Sequence, residues 1–163
     1  MDFKIFDDSG LLSIVDCSAY ASFVAEDWEY ETLLSHFSEH MNKRSMLVWD
    51  CGDGGGPYFI RVKQGFSKIQ GVRELIGPIK AINGQLHIVS YDALTMAAQY
   101  EKITLPMDEE KDLCIGLNPG DYLFRIVQLF DPKSVDENDD KNPHFLLEYE
   151  SGRCEPWEKV AWL

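Results

Sequence analysis

Ile76-Gly77-Pro78-Ile79-Lys80-Ala81-Ile82-Asn83-Gly84-Gln85-Leu86-His87-Ile88-Val89-Ser90 decides the fold class. Two apolar-rich runs, Ile76–Ile82 and Gln85–Ser90, flank Asn83-Gly84. Asn-Gly readily adopts the two positive φ values of a tight turn, so the stretch predicts a β-hairpin. Upstream, Met46–Asp50 and Tyr58–Lys63 read as another hairpin around Cys51-Gly52-Asp53-Gly54-Gly55-Gly56-Pro57. Phe3–Phe6 and Leu11–Asp16 read as strands joined at Asp8-Ser9-Gly10. Downstream, Lys102–Leu105 and Leu113–Leu117 are expected strands, and Asn118-Pro119-Gly120-Asp121 a turn. Tyr122–Phe130 is apolar on both of its alternating faces, which suits a central strand. His144–Glu150 and Trp157–Trp162 are expected to close the chain as strands.

Helical periodicity is clear in one place. Tyr30, Leu33, Leu34, Phe37 and Met41 recur at the i, i+3, i+4, i+7 spacing of one buried stripe, predicting a helix over Glu29–Lys43. Glu26 and Asp27 precede it and Lys43 and Arg44 end it, as the helix dipole favours. Tyr91–Tyr100, rich in Ala, Leu and Met, predicts a short helix. Ser18–Asp27 is ambiguous. Many short strands with one clear amphipathic helix and one short helix predict an α+β fold, mainly antiparallel β and sandwich-like. At 163 residues, a single domain spanning 1–163 is expected.

Charge narrows the function. The chain carries 28 Asp and Glu against 15 Lys and Arg, a formal net charge of −13. Such a surface repels nucleic acid and anionic lipid and draws basic proteins from a distance. The same acidity also serves solubility alone. No apolar run reaches the roughly 18 residues a membrane span needs, and the N-terminus lacks the pattern of a signal peptide. Cys17, Cys51, Cys114 and Cys154 are scattered, with no CxxC pair. Reduced thiols and a cytoplasmic protein are the expectation, with no membrane and no nucleic-acid partner.

Three motifs invite chemistry. His36-Phe37-Ser38-Glu39-His40 matches H-x-x-E-H, in which two histidines one helical turn apart grip zinc and the glutamate acts as general base. Both histidines lie off the apolar stripe, on the face expected to be solvated, where a catalytic zinc lacks walls and a third ligand. The glycine loop at 52–56 is followed by Pro57 and a strand, not by the helix N-terminus that a phosphate cradle needs. Asp131–Pro143 holds Asp136-Glu137-Asn138-Asp139-Asp140 but offers Lys141 and Leu147 where a calcium loop needs Gly and Glu. A solvated loop or an arm that docks on a basic patch remain its two readings.

Gly77-Pro78-Ile79-Lys80-Ala81, Asn83-Gly84-Gln85-Leu86-His87-Ile88-Val89-Ser90 and Ile115-Gly116-Leu117-Asn118-Pro119-Gly120-Asp121-Tyr122-Leu123 together follow a larger pattern. An apolar-Pro strand, a Gly turn, an I-x-S strand and then L-x-x-G-x-Y-x-L resemble the nuclease inhibitors of the competence protein J family. Several bacterial toxin-immunity families share that β-rich organisation. The resemblance runs from about Gly77 to Phe130 and implies a β-sandwich that binds and blocks a nuclease or other toxin enzyme. It implies no catalytic residue and no cofactor. The helix at Glu29–Lys43 and the acidic segment at Asp131–Pro143 depart from the pattern.

The sequence therefore points to an acidic, bacterial, cytoplasmic inhibitor or immunity protein that occludes the active site of a basic toxin or nuclease. The expected contacts are Asp131, Asp136, Glu137, Asp139 and Asp140, then Asp53 and Tyr58 beside the glycine loop. The alternatives are a zinc hydrolase on His36, Glu39 and His40, and a small β-sandwich module that binds a sugar or peptide.

Overall fold

The Asn83-Gly84 turn carries the chain from one sheet to another. The computed structural model describes residues 1–52, 54–133 and 142–163. Among them, β1 (Asp2–Asp7), β4 (Gly56–Gln64), β5 (Arg73–Ala81), β8 (Gly120–Gln128) and β9 (Phe145–Ser151) form a five-stranded sheet in the order β1-β4-β9-β8-β5. A four-stranded sheet holds β2 (Leu11–Val15), β3 (Met46–Asp50), β6 (Gln85–Ser90) and β7 (Cys114–Gly116) in the order β3-β2-β6-β7. Two α-helices, α1 (Tyr30–Asn42) and α2 (Tyr91–Gln99), and a 3-10 turn at Asp108–Glu110 complete the described elements. Every strand pair is antiparallel except β4 with β9. The architecture is α+β with a mainly β composition.

Burial explains the layering. Leu12, Ile14, Leu47, Trp49, Ile60, Ile79, Phe124 and Phe145 interleave between the two sheets. Leu11, Val15, Met46, Val48 and Val89 point the other way, against Leu33, Phe37 and Met41 of α1 and Leu94 of α2. The smaller sheet is thus covered on both faces. All five residues of β2 are buried, which is why Leu11–Val15 shows no apolar–polar alternation. β8 lies between β9 and β5, the central placement its two apolar faces predict.

The expected hairpins are corrected. β1 and β2, β3 and β4, and β5 and β6 each sit in opposite sheets, so these turns arch over the core. A positive-φ glycine serves an arch as well as a hairpin; the bonding of neighbouring groups decides. Gly84, at φ +71, accepts the Leu117 N–H at 2.8 Å, and a Cβ there would lie 2.4 Å from the Leu117 carbonyl oxygen. The Ile82 N–H donates to Asp16 Oδ2 at 2.6 Å. The turn is therefore tied to other segments rather than across itself.

Two expected strands do not form. At 102–105, the Ile103 N–H turns back to the Tyr100 carbonyl at 2.9 Å, and Pro106 offers no donor to a ladder. At 157–162, only Ala161 forms a bridge, with Trp49 of β3. This C-terminal stretch covers two sheet edges: along β3 the Asp50 N–H donates to the Ala161 carbonyl at 2.9 Å and the Ala161 N–H to the Val48 carbonyl at 3.0 Å, and the Trp157 Nε1–H donates to the Ile76 carbonyl of β5 at 2.9 Å. Covered edges are protected from pairing with another chain.

Candidate functional site at the head of the second helix

Three separated pieces of chain converge where α2 begins. Ser90 ends β6 and caps the helix, its Oγ accepting the Ala93 N–H at 3.2 Å. Asp7, the last residue of β1, is fully buried beside it. Its Oδ1 accepts the Tyr91 N–H at 2.8 Å, and its Oδ2 accepts the Ser9 and Leu11 N–H groups at 3.1 Å each. Glu110, from the 3-10 turn, is 7% exposed and accepts the Ser90 N–H on Oε1 at 2.9 Å. The carboxylates answer the unpaired N–H groups and positive dipole of a helix start.

These bonds do not use up the negative charge. Burial pushes both the Asp7 and Glu110 carboxyls above their usual range, against the pull of the backbone N–H groups that they accept. On the surface, partial burial and the neighbouring Asp8 carboxylate raise Asp92 as well. Glu110 Oε2 is buried and has no hydrogen-bond partner. Among the described residues, no Lys or Arg lies within ion-pair distance of Asp7, Asp92, Glu109 or Glu110.

A cleft of about 300 Å³ opens beside this cluster. Glu110, Asp92, Glu109 and Ser90 line it with Lys4, and Ile5, Phe6, Ala93, Met96, Met107 and Leu113 supply apolar wall. Phe6 is 66% exposed on the rim. A cleft of apolar wall and carboxylates is suited to bind, and its described lining holds no paired nucleophile and base. A second, more polar cleft of about 410 Å³ lies among Gln64, Asn118, Tyr122, Tyr149 and Ser151. The Tyr122 hydroxyl there already donates to the Asn118 carbonyl at 2.8 Å.

The residues expected at the contact surface are scattered. Asp53, Asp136, Glu137, Asp139 and Asp140 lie outside the described residues. Asp131 is exposed, its Oδ1 accepting the Lys133 N–H at 2.9 Å. Tyr58 is 3% exposed, and its ring packs against Phe130, His144 and Phe145 as part of the core. Asp7, Asp92, Glu109 and Glu110 were not singled out from sequence. Asp92 carried a faint signal as an acidic residue in a first helical turn; Glu110 carried none, because it reaches Ser90 from 20 residues downstream.

His36 and His40 do not lie on a solvated face. Tyr20, from the ambiguous 18–27 stretch, covers both, with ring centroids at 5.5 and 4.7 Å. His40 is 4% exposed and its Nδ1 is bonded to Ser45 Oγ at 2.9 Å. Glu39 turns away to pair with Lys43. Among the described residues, no three His, Cys, Asp or Glu side chains are grouped to hold a metal ion. The H-x-x-E-H spacing serves aromatic packing here.

No protein-family model matches the chain, and no curated protein matches it. Solved structures do. The chain is similar to "Crocagin biosynthetic gene J" with a TM-score of 0.63 at 12% identity, over 93% of this chain and 96% of that one. It is similar to ComJ of Bacillus subtilis, inhibitor of the DNA degrading activity of NucA, with a TM-score of 0.52 at 9% identity, again over 93% and 96%. The likeness read from Gly77–Phe130 thus extends to nearly the whole chain, as a likeness of fold. No helix among the described residues is long and apolar enough to cross a membrane.

Proposed function

We propose that the protein is a binding inhibitor that blocks a nuclease, as an immunity protein blocks its toxin, by covering a basic active site. The observation that carries this reading is the fold shared end to end with ComJ, an inhibitor of a nuclease. The net charge of −13 supports it physically. A nuclease active site is built to attract phosphates, and an acidic protein meets the same potential, speeding encounter and weakening with salt. The cleft at the head of α2 adds carboxylates that, among the described residues, make no ion pair.

The test is capture of partners from the source organism at low and moderately high salt, followed by a DNA-degradation assay on the captured protein. A salt-weakened partner whose nuclease activity falls to zero at one equivalent of added chain is the expected result. A partner without such activity, or none, overturns the reading. The polar cleft at Tyr122 and Tyr149 favours a second reading, a module for a sugar or peptide. Salt-independent binding of a neutral ligand there would support that reading instead.

A further inference from the structure

The acidic cleft has a floor, a wall and a rim of distinct chemistry. At the floor, Glu110 is 7% exposed, and its Oε2 has no hydrogen-bond partner among the described residues. A buried carboxylate oxygen left without a hydrogen bond is costly, so a donor that enters the cleft and reaches it is stabilised there. Asp7 adds a second buried carboxylate on the same helix start, whose charge also acts on Glu110. Along the wall, Ile5, Ala93, Met96, Met107 and Leu113 are apolar. At the rim, Asp92 and Glu109 are exposed acids, with Lys4 the lone cation among the described lining residues.

We infer that this cleft receives one basic side chain, lysine or arginine, from the bound partner. The inference rests on the proposed function and names the chemistry of its partner at this site. Lysine and arginine carry an apolar stem and a charged head, so they match a cleft that sets apolar wall beside a buried carboxylate. An apolar or acidic side chain would leave Glu110 Oε2 unsatisfied, and a neutral donor, though it could bond that oxygen, would bring Asp7, Asp92 and Glu109 no counter-charge. The volume of about 300 Å³ holds one such side chain and not a folded element. The buried acid then acts as a specific anchor, while the rest of the acidic surface steers encounter.

The experiment uses the full chain and short end-capped peptides of otherwise neutral residues carrying one lysine, one arginine or one norleucine. Amide shifts are followed by NMR. Saturable shifts at Ser90, Ala93, Met96 and Glu110 with the lysine or arginine peptide, absent with norleucine, are expected. Glu110→Gln keeps an acceptor for the Ser90 N–H and removes the charge, so it should weaken binding at least tenfold. Met96→Arg, at an exposed position of the wall, should fill the cleft from within and abolish peptide shifts in a folded protein. Shifts spread over the whole surface, or unchanged binding in both variants, overturn the inference. If a nuclease is inhibited at full strength by Glu110→Gln, the cleft inference fails and the proposed function stands. If the peptides bind in the cleft and no nuclease is inhibited, the reverse holds.

Discussion

Arg125 of β8 and Glu148 of β9 stand directly opposite each other in the five-stranded sheet, Nη1 2.7 Å from Oε2, with the Glu148 side chain wholly buried. The pair organises more than one ladder position. Arg125 also donates to the Ser67 and Ile69 carbonyls at 3.0 and 2.7 Å and pairs with Glu74 of β5. Glu148 Oε1 accepts the Ser67 N–H at 3.0 Å. The link between β4 and β5 is thereby pinned to the sheet. Burial alone would raise the Glu148 carboxyl; the Ser67 bonds and the guanidinium outweigh it and hold it low.

Arg125→Leu should therefore be severely destabilising, by about 3–5 kcal/mol, because it strands a buried carboxylate and frees the 65–72 link. The double variant Arg125→Leu with Glu148→Leu should cost clearly less than the sum of the singles. Chemical denaturation of the three variants checks this. A Glu148 carboxyl held low contributes stability that is present above its unfolded value and lost as pH falls through the folded one. Glu148→Gln should flatten the acid limb of the stability profile.

Glycine substitutions should separate two neighbours in one loop. Gly55 has φ +95, and a Cβ there would lie 2.5 Å from the Asp7 carbonyl oxygen and 2.4 Å from the Asp8 carbonyl carbon. The contacted atoms are backbone and cannot step aside. A Cβ on Gly54 would meet nothing within 4 Å among the described residues. Gly55→Ala should lower stability by about 1–3 kcal/mol and disturb the end of β1 that positions Asp7, whereas Gly54→Ala should change little. Thermal melts of both variants, with the amide shift of Tyr91 as a local reporter, decide it.

These residues also mark where the sequence could be followed. Periodicity located α1 to within a residue, because Leu33, Phe37 and Met41 make one buried stripe, and a composition rich in Ala, Leu and Met located α2, where Ala93, Leu94, Ala97 and Ala98 are buried. Apolar content on both faces placed β8 inside a sheet, where β9 and β5 flank it. Sheet membership was not legible, since Gly10 and Gly84 take the same positive φ in an arch as in a hairpin. Nor was the cleft. Asp7, Asp92 and Glu110 come together around the cleft only because the end of β1 and the 3-10 turn both bond the start of α2, a tertiary fact without local signature. The H-x-x-E-H spacing misled for the same reason: nothing local says that Tyr20 folds over His36 and His40.

The two histidines yield a pH prediction. Burial holds His36 below the usual imidazole range and, with the charge of His36, holds His40 down at about 4. The unfolded chain thus takes up these protons before the folded one. Stability is fully present above an unfolded pKa of about 6.5 and falls as pH drops towards the folded value of His40. His40→Leu, which keeps an apolar partner for Tyr20, should flatten stability across that window, read by denaturation from pH 7 to 4. Added zinc should leave the melting temperature of the parent protein unchanged, because Glu39 is turned to Lys43 and His40 Nδ1 to Ser45. A zinc-dependent rise that is lost in His40→Leu would restore the metal reading.

Exposed acids and the buried one should act on different rate constants. Asp92→Lys with Glu109→Lys reverses two rim charges, and Asp136→Lys with Glu137→Lys reverses two in the acidic segment. Against the captured nuclease, each pair should slow association, by on the order of tenfold at low salt, and flatten its salt dependence, with dissociation nearly unchanged. Glu110→Gln should do the opposite. A buried charged partner lost from an anchor shortens the complex lifetime and leaves long-range steering intact. Stopped-flow association and dissociation at two ionic strengths separate these outcomes. If the rim pair leaves association unchanged while the acidic-segment pair slows it, the partner approaches through the acidic segment and the cleft takes no part in steering.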